Sequence, residues 1–310
     1  MEHRVLSART IVLWAIGLAV VAACSTTLLL VTLGSGDPRD LMRLDAIRTA
    51  SGIVLGTGGA AALLLTARRQ RSTELDLRQK DHDATERRVT ELYGKAADQL
   101  GNDKAPVRLA GLYALERLAQ DNPAHRQTIV NLVCAYLRMP FTPPPEVAAR
   151  VRLLPRDAQR FQELEVRQTA TGLLVAHLRP DRPEAFWSGI SLDLSNATLV
   201  KLALTHAEVA SASFAGTTFV GPATLRGTVV TGTADFRDTR FRGLADFRRV
   251  GFGEASFRGA VFEGETDFGV HTTAVLTGAR TRVRGVRHKW PDGWTERPDG
   301  PDWAVLVRDP

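Results

Sequence analysis

Hydrophobic residues recur along the last third of the chain at steps of five and six. The series runs Leu194, Leu199, Leu204, Val209, Phe214, Phe219, Leu225, Val230, Phe236, Phe241, Phe247, Phe252, Phe257, Phe262 and Phe268, and it holds nine of the chain's twelve Phe. Neither a helix, with period 3.6, nor a half-buried strand, with period 2, sets that step. It predicts a solenoid in which each of these teeth turns inward. The residue two places before a tooth is Ala or Thr, except at Leu192, Leu202 and Val250. One large and one small side chain per unit fill a narrow tube, and the remaining positions, polar or Gly, face water. Steps of six at 219→225, 230→236, 241→247 and 262→268 place extra residues at alternate corners; 252→257 breaks that rule. The period is then about 22 residues per coil, or about four coils in a rod of about 20 Å at the β-strand spacing. The ends of so short a rod need caps.

Upstream, the pattern changes. Ile11 to Leu33 and Thr49 to Ala67 are uncharged runs separated by a charged loop, Asp37 to Arg48. Their lengths predict two membrane-spanning helices. Arg residues on the outer flanks favour a hairpin with both termini in the cytoplasm. The alternative is a lipidated Cys24 after Val21-Ala22-Ala23, although the apolar run continues past it. Gly52 and Gly56 allow close helix approach, within the hairpin or between copies of the chain. From Arg68 to about residue 180 the periodicity is helical. One stripe carries Val89, Leu92, Tyr93, Ala96, Ala97 and Leu100, and a second Leu112, Leu115, Leu118 and Ala119. A third helix opens at Asn122-Pro123 and ends at the prolines from Pro140 to Pro145, and a fourth covers about Asp157 to Leu178.

The units Ala234-Asp235-Phe236, Ala245-Asp246-Phe247 and Ala255-Ser256-Phe257 resemble the pentapeptide-repeat family. That resemblance implies a right-handed quadrilateral β-helix with four units per coil. Segments such as Leu112-Tyr113-Ala114-Leu115-Glu116-Arg117 and Phe186-Trp187-Ser188-Gly189-Ile190 are similar to the helical module upstream of the repeats in membrane-anchored members. The fold class expected is multi-domain α + β. It comprises a transmembrane helical hairpin at 1–67, a helical linker module at 68–180, the solenoid at 181–285 and a Trp-rich cap at 286–310. Trp187 is placed as a lid on the first coil, and Trp290, Trp294 and Trp303 over the last, with a membrane-interface role as the alternative. The localisation implied is the inner membrane, multi-pass, with the module and rod in the cytoplasm.

Composition adds less. Thirty-five Arg against five Lys points to a GC-rich bacterial genome, and the net charge is +6. Cys24 and Cys134 are too few for a metal cluster and read as small buried hydrophobes. The seven His are scattered without metal-ligand spacing, and no nucleophile elbow or P-loop is present. No catalytic residue, metal or cofactor is expected. Asp235, Asp246 and Asp267 precede teeth and read as outward repeat positions.

Arg226, Arg237, Arg242, Arg248 and Arg258 each follow a tooth and are the candidate partner-binding residues. Counting four teeth per coil puts Arg226 with Arg248 and Arg237 with Arg258, as two short columns suited to carboxylate or phosphate groups. The family resemblance also brings one known activity, protection of DNA gyrase by acidic rods that imitate DNA. Residues 190–285 carry nine acidic against eleven basic residues, the wrong sign for that role. Nucleic acid is disfavoured as a ligand because the aromatic side chains point inward. The expected partners are the lipid bilayer and an unidentified protein, with self-association open. The expected function is a non-catalytic, membrane-anchored scaffold presenting a rigid rod, with a DNA-mimic regulator as the alternative.

Overall fold

The computed structural model describes residues 38–145, 155–269 and 272–309, with scattered positions between 16 and 31. It divides into two compact units, Met1–Ala84 and Thr85–Pro310. In the first, helix α1 (Pro38–Leu100) begins on a proline, which suits a first helical position. It runs unbroken through the charged stretch to Arg48, where a loop is predicted. That stretch is rich in Leu, Arg and Met, good helix formers with no break among them. Among the described residues no helix is long and apolar enough to cross a membrane. The expected transmembrane hairpin, and the multi-pass inner-membrane localisation that rested on it, are therefore corrected. Thr49–Ala67 lacks charge but also bulk, since only six of its nineteen residues are Ile, Val or Leu. Most of Ile11–Leu33 lies outside the described residues.

In the second unit, the last turns of α1 bury Val89, Ala96 and Leu100, while Leu92 of the same stripe is exposed. Helix α2 (Ala105–Asp121) crosses α1 at Gly111, where a Cβ would lie 2.8 Å from the Ala96 carbonyl oxygen. Asn122-Pro123 opens a single 3-10 turn, Pro123–His125, before α3 (Arg126–Arg138). Helix α4 (Pro155–His177) follows. Its buried Arg167 closes the C-terminus of α3 by donating to the carbonyls of Leu137 and Met139, each at 2.9 Å. Glu163 holds the same guanidinium at 2.6 Å. Carbonyls left over at a helix end thus find a charged donor.

The solenoid is built from short strands. They are β1 (Ser191–Asp193), β2 (Thr198–Ala203), β3 (Glu208–Val209), β4 (Ser211–Ser213), β5 (Thr218–Thr224) and β6 (Val229–Asp235). Then come β7 (Arg240–Phe241), β8 (Ala245–Asp246), β9 (Gly251–Ser256), β10 (Val261–Phe262), β11 (Thr266–Asp267), β12 (Arg280–Arg282) and β13 (His288–Lys289). All pair in parallel with the coil above or below. One face aligns Leu192, Ala212, Ala234 and Ala255, and the next aligns Leu199, Phe219, Phe241, Phe262 and Thr281. The third aligns Leu202, Ala223, Ala245, Thr266 and His288, and the fourth Val209, Val230 and Phe252. Four faces and about five turns result. The comb falls one coil short because Phe268 is followed by a longer loop before the next inward residues, Leu276 and Ala279, both fully buried.

Phenylalanines stack along the axis. Phe219, Phe241 and Phe262 lie 4.8 and 5.0 Å apart with rings within 8° of parallel. Phe214, Phe236 and Phe257 form a second column at 4.9 and 4.4 Å. These separations are set by the strand spacing, and such contacts add roughly 0.5–1.5 kcal/mol each beyond area burial. The small inward residues do polar work. Thr217, Thr228 and Thr239 are fully buried, and their hydroxyls donate to the carbonyls of Leu194, Leu204 and Phe214 at 2.6, 2.5 and 3.0 Å. The extra residues stack at one corner rather than the two predicted. At the opposite corner β6 bulges between Val230 and Thr233 against β9, because neither 209→214 nor 252→257 carries the added residue. At the stacked corner Gly264 lies over Gly243, and Gly243 over Gly221, where an added Cβ would meet backbone atoms at 2.6 Å.

Both ends of the tube are closed. At the start, the Gln127 amide of α3 donates to the Ser191 carbonyl at 2.8 Å and accepts from the Ser191 N–H at 2.9 Å, replacing a strand neighbour. Arg138 pairs with Asp193 beside it. Trp187 is buried above the first coil, stacked 4.0 Å from His177. That imidazole meets the Ala185 carbonyl and the Glu116 carboxylate at 2.7 and 2.8 Å. At the far end, β15 (Trp303–Arg308) pairs antiparallel with β12 and β14 (Trp294–Pro298). Trp290 covers Phe262 and Phe268 at 5.3 and 5.9 Å. Pro298 brings no N–H to the outer strand, which blunts that edge against further pairing.

The phase of the comb predicts that Phe241→Ala costs roughly 3–5 kcal/mol, whereas Leu244→Ala, three residues on and exposed, costs under about 1 kcal/mol. Urea unfolding of the two variants measures the difference. Burial pushes the Cys134 thiol up to about 11. In a Cys24→Ser background it is therefore expected to react with a thiol reagent at pH 8 only once the chain unfolds.

Candidate outer-surface site

With the teeth inside, the residues beside them form the outer surface. All five candidate arginines are exposed. The backbone brings Arg226 beside Arg248, through the Gly227 N–H bonded to the Arg248 carbonyl at 3.0 Å. It likewise brings Arg237 beside Arg258, through the Asp238 N–H bonded to the Arg258 carbonyl at 2.9 Å. These are the two columns read from the sequence. Arg242 stands apart on the β7 face, its N–H bonded to the Phe219 carbonyl.

The side chains divide the five differently. In Asp235-Phe236-Arg237 the guanidinium folds back on its own unit, meeting Asp235 at 2.9 and 2.6 Å. Asp246-Phe247-Arg248 repeats the arrangement at 2.8 and 2.6 Å, with Asp267 of the next coil 3.8 Å from Arg248. The backbone N–H of each arginine also donates to that aspartate. A fork of this kind is a charge-assisted bidentate pair. Asp246, read from the sequence as an outward repeat position, is buried all the same, because Arg248 folds over it. Arg226, Arg242 and Arg258 follow Thr224, Arg240 and Ser256 at the same offset. They make no ion pair among the described residues.

The pairs leave an electrostatic trace. The Arg237 hydrogen bond holds the Asp235 carboxyl below its ordinary value against partial burial. For Asp246 burial is the largest influence and pushes upward, but Arg248, through side chain and backbone, with Arg226 nearby, outweighs it and the carboxyl is held low. Arg248 is raised in turn by Asp246.

An open cleft of about 1550 Å³ lies between the outer side of β6 and β9 and the β14–β15 hairpin. Arg237 and Arg258 line it together with Arg297 and Arg308, two residues that sequence reading assigned only to a cap. The antiparallel register that carries these two to the cleft wall has no periodic signature. Asp235, Glu254 and Asp292 also line it, and Trp294 and the small residues Gly253 and Ser256 shape it. Elsewhere on the cap, Arg280 and Arg282 flank Trp303 at 5.5 and 5.9 Å from its ring, and Arg280 pairs with Asp299 at 2.9 Å. Among the described residues no group of three or more His, Cys, Asp or Glu could hold a metal ion.

Residues 225–269 match the family model described as pentapeptide repeats (nine copies). Neither the curated proteins nor the solved structures yielded a match. The matched segment contains all five candidate arginines and stops before the last coil and its hairpin.

The lowered Asp235 and Asp246 carboxyls predict a pH signature. Their contribution to stability is full above the unfolded-state value of about 4 and is lost as pH falls through the lower folded-state value. Asp235→Asn/Asp246→Asn is therefore expected to be less stable than the parent at pH 7, with the gap narrowing towards pH 2. Urea midpoints at the two pH values check this.

Proposed function

We propose that this pentapeptide-repeat protein is a non-catalytic scaffold whose solenoid binds a protein partner through its outward side chains. The observation that carries the reading is the complete inward burial of the stacked Phe columns. They give a rod of fixed register, while the positions beside them vary in charge and size from coil to coil. A rigid array of this kind presents groups without an ordering cost at binding. Catalysis finds no support in the arrangement, since the Asp235 and Asp246 carboxyls are engaged in arginine forks rather than converging on a substrate cavity. A nucleic-acid mimic needs an unbroken negative surface, and Asp235 and Asp246 are neutralised by the arginines beside them.

A photo-crosslinking residue placed at Arg226, Arg242 or Arg258 in the intact chain, in cells of its natural source, tests this. The expected outcome is a discrete heterologous adduct from at least one position, identified by mass spectrometry and absent when the probe sits at exposed Asp83 in the first unit. Recovery of self-adducts alone from every solenoid position would overturn the scaffold reading.

A further inference from the structure

Of the three arginines that escape pairing within their units, Arg258 alone lies in the cleft. Its unit carries Ser256 where the Phe236-Arg237 and Phe247-Arg248 units carry Asp235 and Asp246. The serine leaves its guanidinium without the carboxylate that folds Arg237 and Arg248 back. The β14–β15 hairpin then adds Arg297 and Arg308 to the same concavity, and neither makes an ion pair among the described residues. Arg237 is present too, but its fork with Asp235 occupies it.

We propose that this cleft is a docking groove for an extended acidic peptide segment, whose spaced carboxylates pair with Arg258, Arg297 and Arg308. The proposal rests on the scaffold reading above and names the surface and the partner's chemistry. At about 1550 Å³ the cleft exceeds the roughly 300–1,000 Å³ typical of small-molecule pockets. It is large enough for several residues of chain. Gly253, Ala255 and Ser256 on β9 give it a floor low enough for a backbone to approach, and Trp294 offers an apolar wall. Charge pattern decides between polymers. Glu254 interrupts the basic lining. A nucleic-acid strand, uniformly negative and dependent on a continuous basic track and base stacking, meets repulsion there. A peptide places its carboxylates at intervals and can set neutral residues or a basic one against that acid.

The test uses the full chain and a fluorescein-labelled peptide of six Ser-Glu repeats, titrated by fluorescence anisotropy at low and physiological salt. The expected result is saturable binding that weakens roughly tenfold in Arg258→Ser/Arg297→Ser, as loss of two charge pairs would give. Arg226→Ser/Arg242→Ser removes the same charge from other faces and is expected to bind like the parent. Circular dichroism melts establish that both variants keep the parent fold; should the first lose it, Arg258→Lys and Arg308→Ser are read in its place. Equal weakening in both double variants, absence of binding by the parent, or tighter binding of a labelled twelve-residue oligothymidylate would each overturn the groove. The two proposals fail separately. A heterologous crosslink at Arg242 that persists in Arg258→Ser/Arg297→Ser, alongside no peptide binding, removes the groove and leaves the scaffold.

Discussion

Stacking of one phenylalanine on the next, at the separation of one strand from its neighbour, is the constraint on which the rest of the second unit depends. A ring at 4.8 Å from the ring below it fixes how far one coil can rotate or slide over another. Once Phe219, Phe241 and Phe262 are in column, the registers of β5, β7 and β10 follow. The corners follow as well, since a coil held in phase brings Gly243 onto Gly221 and leaves no room for a side chain there. Buried threonines add direction to this packing. Dispersion and burial favour any apolar filling, whereas a hydroxyl that must reach one particular carbonyl tolerates a single arrangement. Thr217, Thr228 and Thr239 therefore specify the coil that the phenylalanines stabilise.

A column of this kind has no intrinsic end, which makes its two caps as necessary as its core. They solve the edge problem by different chemistry. At the start a side chain imitates a strand, with the Gln127 amide supplying one donor and one acceptor to Ser191. At the finish a true hairpin continues the sheet in antiparallel sense and then presents a proline on its outermost strand. The first device ties the solenoid to the helices α3 and α4, which contribute Arg138 and His177 to the same junction. The second sends β14 and β15 out beyond the repeat, and so creates a concave surface that five regular coils alone would lack.

What the sequence makes legible tracks what is periodic. The comb located the inward residues, the glycine-lined corner and the two arginine columns because each recurs at a step that one chain can reveal. It missed the fifth coil, since Leu276 follows Phe268 only after eight residues and the period is lost in the loop. It also left the burial of Asp246 unseen, because outward direction does not decide exposure; the aspartate points out of the tube but is covered by Arg248. The apolar runs near the N-terminus misled for a related reason. Lack of charge over nineteen residues is a criterion of length, and Thr49–Ala67 meets it largely with Gly, Ala, Ser and Thr.

Candidate residues were legible by type and position but not by state. Five arginines after five teeth look equivalent, yet one neighbour two places back separates them. An aspartate there closes the guanidinium into its own unit, where it serves the rod; a serine, threonine or arginine leaves it for something else. The same rule accounts for why charge totals say little about this surface. Two forks cancel within their units, so part of the near balance of acidic and basic residues in the solenoid reflects pairs already made. The proposed docking uses arginines outside such pairs, and only geometry shows that Arg258 has Arg297 and Arg308 for company. In that proposal a repeat acquires a local site by losing one carboxylate from its pattern next to a cap that contributes the remaining charges.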